Sequence, residues 1–365
     1  GTLFVGTYTR KEAHVDGKSK GISSITLSAK GDHSNAKEKY LVEDIANPSY
    51  ICLSPNRKYM YAVAEVGPEI DIEGGRVNAY HVERNGEEVK LKLVNSESTL
   101  GHSPCHVTTN TNGTMVAVAN YAGSNVCVYP VREDGGLDSP SHIIRFDGTG
   151  PNKARQEKAH PHSCNFSTDG KYLYVPDLGA DRIWSVPLEH HESKYIEAKS
   201  GLSALGGSGP RLMVIHPNGL AYVLNELSCT LAVYKLLPKG ELTEVQEISA
   251  LPATMTDEQK ANYLAADLHL HPNNKWLYYS IRGFDKIAVF HIDEDGRATL
   301  TTHVPAGGEC PRGILIMPGG QQIVVASQNS DKVIGFNVCQ ENGTLSKEWE
   351  AHAMTPVCLQ FLSHE

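Results

Sequence analysis

The chain has 365 residues, 40% of them hydrophobic, and a formal net charge of −9. That acidic balance argues against nucleic acid or an anionic membrane surface as the main partner. No run approaches the ~18 apolar residues that span a bilayer, and the opening GTLFVGTYTRKEAHVDGKSK lacks the apolar region of a secretory signal.

Taken in chain order, one short pattern keeps returning. It reads PSYICLSPNRKYMYAVAE from Pro48, PCHVTTNTNGTMVAVAN from Pro104 and PHSCNFSTDGKYLYVPD from Pro161. It continues as PRLMVIHPNGLAYVLNE from Pro210, ADLHLHPNNKWLYYSIR from Ala266 and PRGILIMPGGQQIVVASQ from Pro311. Each copy is an alternating strand, a turn rich in Pro, Asn, Asp and Gly, and a β-branched or aromatic strand. Several run on into a third strand, as in SNVCVYPV and DKVIGFNV.

A seventh copy is divided between the ends: TPVCLQFL from Thr355 matches the first strand of the unit and TLFVGTYT from Thr2 the second. The starts at 48, 104, 161, 210, 266, 311 and 356 are spaced by 45 to 57 residues, and the step from 356 through the termini to 48 is again 57. Units that tile a chain as a circle predict an all-β fold, a seven-bladed β-propeller closed by pairing the N- and C-terminal strands in one blade. Closure removes the sheet edges that an open row would expose. Residues 1–365 are read as one such domain.

Eight cysteines are scattered through strand patterns with no CxxC pair. That spacing favours buried free thiols in a reducing, cytoplasmic compartment over a zinc site, and no metal or cofactor is expected.

Propeller geometry puts the start of each first strand and the end of each second strand on one face, around the axial channel. The residues after the repeat-initial position are Ser49, Cys105, His162, Arg211, Asp267, Arg312 and Val357. Those at the second-strand ends are Thr7, Glu65, Asn120, Asp177, Glu226, Arg282 and Gln328. Three arginines, two glutamates, two aspartates and a histidine converging on one funnel suggest an anionic small-molecule ligand with acid/base machinery beside it. Plainer roles fit single members: His160 as a cap on the loop before Pro161, Asp177 as turn chemistry, Arg211 and Glu226 as an ion pair within one blade. The segment MTDEQKANY from Met255 fits a short helix over the funnel or an ordinary insertion. His14, His190 and His191 fall in loops, and the Gly-rich GLSALGGSGPR lacks the Lys-Ser/Thr of a phosphate loop.

The segments NPSYICLSPN, HSPCHV, RQEKAHPHS, VPDLGADRI, GSGPR, VLNELSCTLAVY and ECPRG followed by SQNSDKV resemble the seven-bladed propeller lactonases. That family includes bacterial cytoplasmic 6-phosphogluconolactonases and, more distantly, the fungal carboxymuconate-lactonizing enzyme. The resemblance covers essentially the whole chain. It departs at YLAADLHLHPNNKWLYYSIRG and at the Leu-Met after Arg211. It implies hydrolysis of a sugar-acid lactone, 6-phosphogluconolactone above others, with His162, Arg211, Glu226 and Arg282 as the catalytic set.

In that scheme His162 or Glu226 serves as general base, Arg211 and Arg282 stabilise the oxyanion, and Arg312, His160 and Gln156 bind phosphate. Asp177, Asp267 and Gln328 complete the binding ring, and no metal is required. Three rivals remain. A lactonising lyase would use the same residues; a calcium lactonase would use Glu65, Asn120 and Asp177; a non-catalytic scaffold would need an exposed apolar face.

Overall fold

The computed structural model describes residues 1–29 and 31–364. Among these residues the strands form seven twisted sheets arranged as blades around one axis, and a separate two-stranded hairpin pairs Lys11–Glu12 with Val15–Asp16. The terminal strands build blade 1 together: Pro356–Leu362 lies innermost and pairs with Thr2–Thr7, followed by Ile22–Thr26 and Glu38–Val42. The register of that closing pair, Thr2 with Leu362 through Val5 with Leu359, is an unbroken antiparallel ladder. Blade 2 starts at Ile51–Leu53, blade 3 at Pro104–Thr109, blade 4 at Asn165–Phe166, blade 5 at Pro210–Ile215, blade 6 at Leu264–Leu270 and blade 7 at Pro311–Ile316.

The core is not central. Alternation along each strand sends apolar side chains to both faces of a blade, and seven apolar clusters result, one between each pair of neighbouring blades. Phe4 and Ile22 of blade 1 meet Met60 and Tyr80 of blade 2 in one; Leu3 and Val5 meet Val324 and Ala326 of blade 7 in another. Fully buried tyrosines tie blade to blade through their hydroxyls. Tyr61, Tyr222 and Tyr278 donate to the carbonyls of Gly135, Gly296 and Gly343 at 3.0, 2.7 and 2.7 Å. The axis carries most of the buried charged groups, interspersed with apolar side chains such as Leu212, Ile314 and Val357.

Two features depart from a plain four-stranded repeat. Tyr195–Glu197, within the excursion from blade 4, adds a parallel fifth strand to blade 3 along His142–Arg145. Asp257–Lys260, between blades 5 and 6, is a single helical turn held by a reciprocal Thr256–Gln259 capping box. All eight cysteines are free.

Candidate functional site

In four blades the position after the repeat-initial residue has the same structural identity: it is the extra residue of a β-bulge. In blade 5 Pro210 pairs with Asn225 and Leu212 with Leu224, leaving Arg211 as the extra residue. Arg312 in blade 7, Cys105 in blade 3 and Val357 in blade 1 occupy the same bulge. A bulge breaks strict alternation and re-aims one side chain, which is how a strand packed on both faces still presents Arg211 and Arg312 to the axis. Blade 6 differs. Its register places both Ala266 and Asp267 in the irregularity, so Ala266 is the counterpart of Arg211 and Asp267 lies one step on. Asp267 accepts the Ile314 N–H of blade 7 at 2.7 Å and pairs with His269 at 3.1 Å, stitching blades 6 and 7 beside the channel.

The second-strand ends need a one-residue correction in three blades. Thr7, Asn120 and Asp177 each pair with or bridge to the repeat-initial proline, as Asn225 and Ser327 do. Period-two alternation turns these away from the channel, into loop bonds. Thr7 donates to the Gly21 carbonyl at 2.6 Å and Asn120 to the Thr99 carbonyl at 2.7 Å. Asp177 accepts from the His160 and Ala180 N–H groups at 2.8 and 2.9 Å and from Trp184 Nε1 at 2.9 Å. The residues that face the axis follow them: Tyr8, Tyr121 and Leu178, matching Glu65, Glu226, Arg282 and Gln328 in the other blades. Sequence reasoning missed Tyr8 and Tyr121, although GTYT and ANYAG place an aromatic residue one step past the polar one in both blades.

The funnel is built around Glu226, whose side chain is only 2% exposed. Arg211 Nη1 and Arg282 Nη2 both reach Oε1, Arg282 at 3.0 Å, while Arg155 Nη2 takes Oε2 at 2.5 Å. Burial alone would raise the Glu226 carboxyl, but Arg282, Arg211 and Arg155 together hold it well below the usual carboxylate range. The arginines are fixed in turn by backbone. Arg211 Nε donates to the Ala266 carbonyl at 2.7 Å and Arg282 Nη2 to the Ala265 carbonyl at 2.9 Å.

His162 stands beside this cluster. Its Nε2 accepts from Arg211 Nη1 at 3.0 Å and lies 3.9 Å from Glu226 Oε1. Because a guanidinium only donates, the imidazole is neutral with its proton on Nδ1, 3.6 Å from Cys105 Sγ. Burial first, and the Arg211 charge second, push its pKa well below the ordinary histidine value.

His160 and Gln156 are placed behind the funnel. The His160 ring stacks on Tyr121 with centroids 4.2 Å apart and bonds the Tyr121 carbonyl and Glu157 through its two nitrogens, both at 2.7 Å. Gln156 is fully buried, donating to the Leu178 carbonyl at 2.9 Å and accepting from Asn152 N at 3.0 Å. They fold the loop after Arg145 so that Arg155 points inward. Gly179 is needed there, since a Cβ at that position would fall 1.8 Å from the Lys158 carbonyl oxygen.

Across the funnel, Arg312 donates to Gln328 Oε1 at 3.2 Å and to the Tyr8 hydroxyl at 2.9 Å, and its guanidinium lies 5.0 Å from the Tyr8 ring centroid. Tyr8 donates to Glu65 Oε2. Below lies an axial cavity of about 40 Å³ lined by His162, Arg211, Asp267 and Arg312 among others, room for two or three waters. His190 and His191 lie in an exposed excursion of blade 4. The Gly-rich segment is pinned by Asp181, which accepts from Gly207 and Gly209 N–H at 2.7 and 2.8 Å. Among the described residues no three His, Cys, Asp or Glu side chains converge as metal ligands, and no helix is long and apolar enough to cross a membrane.

A closed propeller with convergent cations, an imidazole and two carboxyls at one channel mouth is an enzyme's architecture, not that of a flat docking disc. The family model "Lactonase, 7-bladed beta-propeller" matches residues 2–361. A 6-phosphogluconolactonase of Formosa agariphila is 33% identical over 94% of each chain, and one of Bacillus subtilis is 31% identical over 98% of this chain and 97% of its own. The solved periplasmic gluconolactonase of Pseudomonas aeruginosa superposes with a TM-score of 0.84 at 26% identity, over 99% of both chains. The chain belongs to the seven-bladed β-propeller lactonase family. It is thereby a carboxylic-ester hydrolase of the lactone-opening kind.

Proposed function

We propose that the substrate is 6-phosphogluconolactone and that this funnel hydrolyses it to 6-phosphogluconate by acid/base catalysis without a metal. The observation that carries the reading is charge: four guanidiniums, Arg155, Arg211, Arg282 and Arg312, stand against three carboxyls, Glu226, Glu65 and Asp267, the last already paired with His269. The excess suits a phosphorylated ligand that becomes a carboxylate. Relatives named 6-phosphogluconolactonase at over 30% identity point the same way.

Glu226 is the counterion that fixes the arginines, and His162 is the base. When the lactone carbonyl takes the Arg211 N–H, Nε2 is released to receive a proton from the attacking water. The oxyanion then forms against Arg211 and Arg282, preorganised by Glu226 and by backbone carbonyls. Arg312 takes the phosphate through its planar fork. Eight free cysteines agree with a reducing cytoplasm as the place of action.

The test is production of 6-phosphogluconate from freshly generated lactone, above the spontaneous rate and with chelator present. Glucono-δ-lactone is run in parallel, because the Pseudomonas neighbour is named for it. Turnover of the phosphorylated lactone unaffected by chelator is the expected result. Turnover of gluconolactone alone would refute the phosphate assignment, and loss of rate with chelator would refute the metal-free mechanism.

A further inference from the structure

Two glutamates occupy equivalent second-strand ends three blades apart, Glu226 in blade 5 and Glu65 in blade 2, so they face each other across the funnel. Their surroundings are opposite. Glu226 is gripped by three guanidiniums. Glu65 has no cation within ion-pair distance among the described residues; its Oε2 is held by the Tyr8 hydroxyl. Tyr8 is wholly buried and also accepts from Arg312 at 2.9 Å, so the phenol fixes Glu65 without neutralising it. The Glu65 main chain is anchored too, its carbonyl accepting from Asn47 Nδ2 at 3.1 Å.

From this placement, and resting on the lactonase reading above, we propose that Glu65 is the catalytic acid of this funnel, protonating the ring oxygen as it leaves, and that Tyr8 is its positioning residue. Two carboxyls whose environments favour opposite protonation states are how one site holds both an ionised and a neutral acid. The steps balance. Water adds to the carbonyl carbon while His162 Nε2 takes its proton. The tetrahedral oxyanion then expels the ring oxygen, whose bonding pair receives the Glu65 proton, and the proton on His162 returns to Glu65 through water. The product is the open hydroxy acid.

The groups around Glu65 come from every neighbouring element: Tyr8 just after the first strand, with His14 of the following hairpin 3.4 Å from its hydroxyl, Arg312 from blade 7, Arg211 from blade 5, Cys105 from blade 3 and Ser49 from its own blade. Glu12 is screened by Asn47, whose amide donates to both acids' segments. Burial lifts the Glu65 carboxyl to about 7 even against the Arg312 charge, so a protonated fraction persists at neutral pH.

The experiment compares wild type, Glu65→Gln, Glu65→Asp and Tyr8→Phe on 6-phosphogluconolactone between pH 5 and 9, each first checked for a native melting transition. Wild-type kcat/KM should fall above roughly pH 7. Glu65→Gln should lose about 10²-fold at pH 6 and lose that alkaline limb, the size expected of a general acid, while Glu65→Asp recovers part of both. Tyr8→Phe removes a bond that favours the ionised carboxylate, so its limb should move to higher pH with most of the rate retained. A Glu65→Gln enzyme with the wild-type rate and profile would overturn the role and leave the lactonase reading standing. An acidic limb below pH 7 that Glu65→Gln abolishes would make Glu65 a base and overturn it as well. A wild-type protein inactive on the lactone overturns both.

Discussion

Arg155 meets Glu226 at 2.5 Å across 71 residues of sequence, joining the loop between blades 3 and 4 to the second-strand end of blade 5. This contact makes the site a product of the circle, not of any one blade. Arg211 and Glu226 belong to blade 5, Arg282 to blade 6 and His162 to blade 4, but the charge that completes the Glu226 shell descends from a loop whose fold depends on Gln156, His160 and Asp177.

Arg155→Met should therefore separate activity from stability. Its side chain is 35% exposed, so solvent screens the pair, and its loss should cost under about 1 kcal/mol. Its charge nonetheless enters the funnel, and kcat/KM should fall about tenfold, mostly through KM. A melting curve beside steady-state rates checks both; a large stability loss would mean that the loop folds around this residue.

Glu226→Gln tests the opposite case. It leaves Arg211 and Arg282 almost buried beside a neutral amide, and breaking one partner of a buried charge cluster costs about 3–5 kcal/mol. The folded carboxyl is held below the 4.5 of an unperturbed glutamate, so its contribution is complete above that pH and is lost as pH falls through the folded value. Urea midpoints at pH 7 and pH 4 should differ less in the variant than in the wild type. Equal pH slopes would place the acid sensitivity elsewhere.

The circle of seven units was legible because each copy repeats the same turn chemistry and alternation, and because the divided copy at Thr2 and Thr355 demanded closure. His162, Arg211, Arg312, Glu226 and Arg282 were legible for the same reason: they sit at fixed offsets from a repeated proline or strand end. What the offsets hid was direction. Asn120, Asp177 and Thr7 look like rim residues by position and polarity, but the ladder pairs each with the proline and faces it outward, bringing Tyr8 and Tyr121 to the axis instead. Asp267 was displaced by the wider irregularity of blade 6. Arg155 was beyond reach, since nothing local tells an arginine in a 15-residue loop which carboxylate it will meet.

Arg312→Met is expected to change substrate preference. Hydrogen bonds to a charged group contribute about 1.5–3 kcal/mol, so the ratio of kcat/KM for 6-phosphogluconolactone over glucono-δ-lactone should drop by roughly 10- to 100-fold. The variant also removes a donor to Tyr8, which is why the ratio is the measurement and not either rate alone. An unchanged ratio would move the phosphate to another part of the funnel.

Asp177→Ala addresses the residue that the fold turned away from the ligand. Its carboxylate accepts three N–H groups, from His160, Ala180 and Trp184, and it is fully buried. Deleting it strands three buried donors at about 1–3 kcal/mol each, so a loss of at least ~3 kcal/mol is expected. Asp177→Asn keeps an oxygen for two donors but offers an amide N–H₂ where the third needs an acceptor, and should fall between. If Asp177 instead touched substrate, the asparagine variant would show a raised KM with near-native stability. The bonding here demands the reverse: a clear fall in the unfolding midpoint of both variants, with KM in the folded fraction close to wild type.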